Sequence, residues 1–227
     1  MNMKKYILFF SMLCIITTSN ICAAFPKYNY IDDYYAIIDG NLTKFLNKKH
    51  NKKPVVIEIF SFLCPYCYSF YNDVYNKSKY LKTHIPKNAR IIRYHAEDVG
   101  NNAELSTLAE YNWSIAKLLD VEDKIIGPFY EGIQKNKTIY DYDTMKAAFL
   151  KATGITSKMY DGLWNSYFTK ATYTRQLDFV DNVDAQSVPN VIVNNKYVIN
   201  ISGLLVEHQK DFPKNYGQLV IKLLQKK

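Results

Sequence analysis

Two cysteines separated by two residues, Cys64 and Cys67, lie within FSFLCPYCYSF at residues 60–70. A pair at this spacing can serve as a structural staple, as half of a metal site or as a redox reagent. The staple is a weak reading, because a disulfide closing so short a loop removes little entropy from the unfolded chain. Zinc needs two further ligands, and the four histidines, His50, His84, His95 and His208, contain no pair at His-x3-5-His spacing. The redox reading has a positive argument. Residues 54–60, PVVIEIF, are almost wholly apolar and β-branched, whereas charges and asparagine appear at helical spacing after Cys67. Cys64 therefore falls where a buried strand ends and a helix begins, with Pro65 suited to the first helical turn. Free N–H groups and partial positive charge at such a junction stabilise a thiolate, which is the nucleophile. Cys67, one turn on, faces the same side. An accessible first sulfur can then form a mixed disulfide and a covered second one resolve it.

The elements that must hold this pair can be read along the chain. Residues 33–38 form a first strand, followed by a loop and a lysine-rich stretch at 47–53. Residues 55–60 form the strongest strand, and their lack of alternation predicts burial on both faces. A helix runs from Cys64 through about Tyr80, and residues 89–95 form another strand. From residue 101 to about 169 strand signals vanish. Helices are predicted over 103–119, 123–134 and 141–151, the last with Asp141 or Asp143 as N-cap and Gly154 as stop. Residues 159–168 carry Trp164 and Phe168 at i, i+4 spacing, and 175–185 make one more helix. Strand character returns at 188–193 and 196–199 around a tight Asn194-Asn195 turn, and residues 216–224 close the chain as an amphipathic helix. A helical block between a βαβ half and a ββα half predicts an insertion into an α/β domain whose two halves share one sheet.

Composition agrees with an exported globular protein. The 227 residues are 48% hydrophobic and 15% aromatic, enough for a packed core without a disulfide framework. Met1 to Lys5 is basic, residues 6–16 are apolar, and residues 17–24 are small or polar and end in Cys22-Ala23-Ala24. This is the layout of a signal peptide cleaved after Ala24, and the apolar run is too short to span a bilayer. Its removal takes Cys14 and Cys22 with it, leaving Cys64 and Cys67 alone, and lowers the formal charge from +8 to +6 by the loss of Lys4 and Lys5. The remaining positive charge is scattered in short lysine clusters, which reads as solvated surface and not as a nucleic-acid site.

Taken together, EIFSFLCPYCYSF (58–70), RYH (93–95), VEDKIIGPFYEGIQKNKTI (121–139), YDGLWNSY (160–167) and SVPNVIVNNKY (187–197) resemble the DsbA family of bacterial periplasmic thiol:disulfide oxidoreductases. The resemblance implies a thioredoxin fold with an inserted all-helical domain. The signal would be residues 1–24, the thioredoxin domain 25–97 and 174–227, and the insertion 98–173. It implies a dithiol enzyme, needing no cofactor or metal beyond its own disulfide, that oxidises newly exported polypeptides in the periplasm as a monomer. A quinone-linked membrane partner of the DsbB type would reoxidise it. Carried onto this chain, Cys64 would be the attacking sulfur, Cys67 the resolving one, and Val188-Pro189 a cis-proline loop that meets substrate. Glu58 would be a buried acid able to take the proton of Cys67, with Arg93 as its cationic neighbour.

Two departures bear on redox poise. The strong oxidants of the family carry Pro-His between their cysteines, where this chain has Pro65-Tyr66. Acidic residues usual after the second cysteine are replaced by Tyr71 and Asn72, with Asp73 following. Loss of a charge-assisted donor, about 1.5–3 kcal/mol, would move the potential about 30–60 mV toward reducing. The pair Pro-Tyr also occurs in glutaredoxins. A glutaredoxin-like reductase, an isomerase, and a peptide-binding chaperone with a purely structural disulfide are therefore the rival readings.

Overall fold

The computed structural model describes residues 34–50, 54–97 and 99–226; the signal segment 1–24 lies outside them. Strand β2 (Val55–Phe60) is buried along its whole length. Val55, Ile57 and Ile59 enter the core on one face of the sheet, while Val56, Glu58 and Phe60 alternate onto the other. Burial on both faces is the reason its sequence does not alternate. It pairs in parallel with β3 (Arg90–His95) and antiparallel with β4 (Asn190–Val193), which continues through β5 (Tyr197–Ile199) to β1 (Tyr35–Ile37). The sheet order is β1-β5-β4-β2-β3. Asn194 and Asn195 both adopt φ 57°, as the expected tight hairpin requires.

Between β3 and β4 the described residues form five helices: α4 (Ala103–Leu119), α5 (Glu122–Tyr130, extended by a π-helical turn Glu131–Lys135), α6 (Tyr142–Thr153), α7 (Ser157–Trp164) and α8 (Tyr167–Val183). Asp141 caps α6 reciprocally with Thr144, and Gly154 ends it at φ 77°. The fold is thus a thioredoxin fold carrying an all-helical insertion. Trp113, Phe129, Tyr130, Phe149 and Tyr160 from these helices share one core with Phe60, Phe62 and both cysteines. The pair therefore sits at the seam between insertion and sheet.

Four local expectations need correction. The helix at the cysteines is not continuous to Tyr80: α2 (Pro65–Tyr71) passes into a π-helical turn (Asn72–Lys77), and Lys79, at φ 54°, separates it from α3 (Tyr80–His84). Trp164 and Phe168 do not share a helix. Ser166 caps α8 through Thr169 N–H at 3.1 Å, so Phe168 starts a new helix and is 69% exposed. That helix begins at Tyr167, well before the expected 175. Two helices were not foreseen. In α1 (Gly40–His50) only Leu42, Leu46 and His50 are buried, and Asp39 caps it by accepting from Asn41 and Leu42 N–H at 2.8 and 3.0 Å. The other is α9 (Ile201–His208), which precedes α10 (Phe212–Gln225).

Candidate active site

The chain leaves β2 at Phe60 and turns through Ser61-Phe62-Leu63 before entering α2. This turn is held by atoms far apart in sequence. Phe62 N–H donates to His95 Nε2 at 3.0 Å, and Gln134 Nε2 donates to Phe62 C=O at 2.6 Å. Within the turn, Ser61 Oγ accepts from Leu63 N–H and Ser61 C=O from Cys64 N–H, both at 3.2 Å. His95 is wholly buried, and burial pulls its pKa down to about 3. Its ring is neutral, with Nε2 accepting and the proton on Nδ1, which faces Glu110 Oε2 at 3.9 Å.

Cys64 is the N-cap of α2, and Pro65 occupies the first turn without leaving a donor unpaired. Cys64 Sγ accepts from Cys67 N–H at 3.2 Å. On the other side the thiol points at the Val188 carbonyl, 3.5 Å away, and the Val188–Pro189 peptide is cis. The Cys64 pKa falls from 9.0 to about 7. The Cys67 thiol contributes most, the Cys67 and Tyr66 N–H groups add to it, and burial opposes it. Cys67 moves far in the other direction, chiefly by burial and then by the hydrogen bond and negative charge of Cys64.

Both cysteines are buried free thiols, 4% and 1% exposed. The expected contrast of an open and a covered sulfur is therefore a contrast in proton affinity and not in area, because the Val188 loop lies over Cys64. Of the aromatic residues around the pair, Phe60, Phe62 and Phe70 are core, Tyr68 is half-buried, and Tyr66 is 78% exposed.

Glu58 lies beneath the pair on the same sheet face as Val56 and Phe60. Arg93 Nε, from β3, donates to Glu58 Oε2 at 2.7 Å, and the Tyr75 hydroxyl donates to Glu58 Oε1. A small void is bordered by Glu58, Cys67, Tyr75, Arg93, Tyr130 and Pro189. The structure thus gathers Cys64, Cys67, Glu58, Val188 and Pro189 around one point. Tyr66 is adjacent in sequence but directed to solvent.

Sequence reasoning did not single out His95, Gln134 or Tyr75 for a role at the site. His95 is weighed only as a zinc ligand and as part of the RYH stretch, Gln134 appears only as a letter within GIQK, and nothing marks Tyr75 among twenty tyrosines. Among the described residues no group of three His, Cys, Asp or Glu side chains could hold a metal ion.

A thioredoxin fold with a Cys-x-x-Cys N-cap, a lowered first pKa and a cis-proline loop against the sulfur defines a thiol:disulfide oxidoreductase. Comparison with known proteins agrees. The chain is 34% identical over 189 residues to the thiol:disulfide interchange protein DsbA of Yersinia pestis, covering 83% of this chain and 89% of that one. It is 33% identical over the same span to the Escherichia coli protein of that name. Among solved structures, a cysteine-to-serine variant of Proteus mirabilis DsbA with a non-covalently bound peptide PWATCDS superposes with TM-score 0.69. It is 26% identical, with 87% of this chain and 98% of that one covered. The DsbA of Klebsiella pneumoniae, at 24% identity, shares the fold with TM-score 0.70, over 88% of this chain and all of that one. No family model matches the chain. The chain belongs to the DsbA family of thiol:disulfide interchange proteins.

Proposed function

We propose that the protein is a net oxidant of exported polypeptides, donating the Cys64–Cys67 disulfide in the periplasm after removal of residues 1–24. The observation that carries this reading is the likeness to DsbA over 83% of the chain, joined to a Cys64 sulfur that accepts from Cys67 N–H at the start of α2 and meets the cis Val188–Pro189 peptide. Cys64 is held toward its thiolate at neutral pH, whereas buried Cys67 keeps its proton. Because the thiolate exists only in the reduced form, stabilising it favours the enzyme that has given up its disulfide.

A substrate thiolate attacks Cys64 Sγ, the bond to Cys67 breaks, and the electron pair leaves on Cys67 sulfur, which takes up a proton. A second substrate thiolate then attacks the substrate sulfur of the mixed disulfide, and Cys64 departs as a thiolate held by the Cys67 N–H. The substrate has lost two electrons and the enzyme has gained them. The Val188-Pro189 loop lies where an extended substrate chain would run, and Pro65 and Tyr66 set the local chemistry of Cys64. Glu58 exchanges the proton of Cys67. In the return half-cycle Cys67 attacks a mixed disulfide between Cys64 and a quinone-linked membrane partner of the DsbB type, which receives the electrons. Support for peptide substrates comes from the peptide bound to the Proteus mirabilis relative.

We divide the mature monomer into a thioredoxin unit, 25–97 and 174–227, and an insertion, 98–173, with α8 running through both. The test is the redox equilibrium of residues 25–227 in graded glutathione buffers. A potential at or above about −180 mV supports the oxidase, and one at or below about −230 mV refutes it in favour of the glutaredoxin-like reading.

A further inference from the structure

The carboxylate of Glu58 is buried. Facing it are Cys67 and Tyr71 from α2, Tyr75 from the π-helical turn, Arg93 from β3, Tyr130 from α5 and the buried Tyr216 from α10. Asp123, 93% exposed, reaches the cluster only through Arg93 Nη1, at 3.4 Å. Arg93 also lies over the Tyr75 ring, 4.6 Å from its centroid. Arg93 Nε binds Oε2 and the Tyr75 hydroxyl binds Oε1, and the buried Tyr216 hydroxyl also interacts with this carboxylate. Glu58 and Cys67 border a common void of about 10 Å³, at the lower limit for one water molecule. A proton leaving Cys67 thus has Glu58 as the acceptor across that void, and the readiness of Glu58 to accept depends on how strongly its oxygens are already engaged.

We propose that Tyr75 is a positioning residue for the proton step at Cys67, holding the Glu58 carboxylate in the orientation from which it receives the proton. This rests on the reading that Glu58 exchanges the proton of Cys67. The step balances. Cys67 S–H gives its proton to the Glu58 carboxylate, the Cys67 thiolate forms a bond to Cys64 Sγ, and the partner sulfur leaves Cys64 with the electron pair of the broken bond. Burial and the neighbouring carboxylate both raise the Tyr75 pKa well above its ordinary value, so the phenol remains a donor throughout. Loss of that donor makes Glu58 easier to protonate, and a protonated Glu58 cannot act as the base.

The experiment mixes the reduced protein with an aromatic disulfide that releases a coloured thiolate, in stopped flow across a pH series. The first release reports attack by Cys64 and the second reports attack by Cys67 on the mixed disulfide. In Tyr75→Phe, which keeps the ring and its packing, the acidic limb of the second release moves to higher pH by about one unit, a slowing of about tenfold below the limb. The first release and the alkaline plateau stay as in the parent. Glu58→Gln abolishes the limb, and adding Tyr75→Phe to it changes nothing more. A general packing role for Tyr75 would shift the profile equally with or without Glu58, and that result overturns the proposal. So does a Tyr75→Phe profile that superposes on the parent while Glu58→Gln removes the limb. If Glu58→Gln leaves the limb in place, the underlying reading of Glu58 fails as well.

Discussion

Replacing Tyr66 by histidine tests how this site sets its redox poise. The sulfur of Cys64 is held by the thiol and N–H of Cys67 and by the N–H of Tyr66, which together bring its pKa to about 7. The Tyr66 side chain, 78% exposed, supplies no further donor. An imidazolium at this position would add one charge-assisted hydrogen bond, about 1.5–3 kcal/mol. Solvent screening at so exposed a site favours the lower figure. A gain of about 1.4 kcal/mol is one pKa unit, so Cys64 would titrate near about 6. Since the thiolate is present only in the reduced enzyme and the parent Cys64 is half ionised at about pH 7, the potential rises by about 20 mV at that pH and by about 30 mV where both proteins are fully ionised. Near-ultraviolet thiolate absorbance gives the first quantity, with the oxidised protein as blank, and glutathione equilibrium gives the second. Tyr66→His lowering the pKa without moving the potential would break the link drawn between them. No change in either would show that residue 66 cannot reach the sulfur.

Three further outcomes are expected. Cys64 titrates lower in the folded reduced protein than when unfolded, so its stabilisation is absent below about pH 7 and grows to full strength by about pH 9. Cys67 is raised, so above about pH 9 its reluctance to ionise destabilises the reduced fold. Denaturation of the reduced minus the oxidised protein should therefore improve through that window by at most about 2.7 kcal/mol, less any screening at the sulfur, and then decline; a flat difference would contradict the assigned protonation states. Arg93→Met leaves the Glu58 carboxylate without its cation, and urea unfolding should show a loss of about 3–5 kcal/mol, much reduced when Glu58→Gln is also present. At the hairpin, Asn194 holds φ 57° and its Nδ2 donates to the Leu223 and Leu224 carbonyls that end α10. Asn194→Ala should cost about 1–2 kcal/mol in backbone strain plus about 1 kcal/mol for the lost cap, while Asn194→Gly should lose mainly the cap.

Local chemistry was written in the residues themselves. An apolar β-branched run leading to Cys-Pro reads as a buried strand entering a helix, two adjacent asparagines suit a turn with positive φ, and Asp141 and Gly154 mark the ends of one helix. These depend on neighbours within a few positions, so sequence alone determined the central strand, the hairpin and the helical insertion, and it singled out Cys64 and Cys67 as the pair to test. Helices α1 and α9 escaped because their buried faces are narrow and lie in stretches dominated by lysine, asparagine or unpatterned apolar residues. What only tertiary structure decided is the set of partners brought from afar. His95 and Gln134 hold the backbone of Phe62, the Val188 carbonyl meets Cys64, and Tyr75 and Arg93 divide the oxygens of Glu58. The registers of β2 with β3 and β4, and the π-helical turn after α2, place these atoms within hydrogen-bonding reach. A thiol's proton affinity responds to groups a few ångströms away, and sequence distance carries no information about that separation.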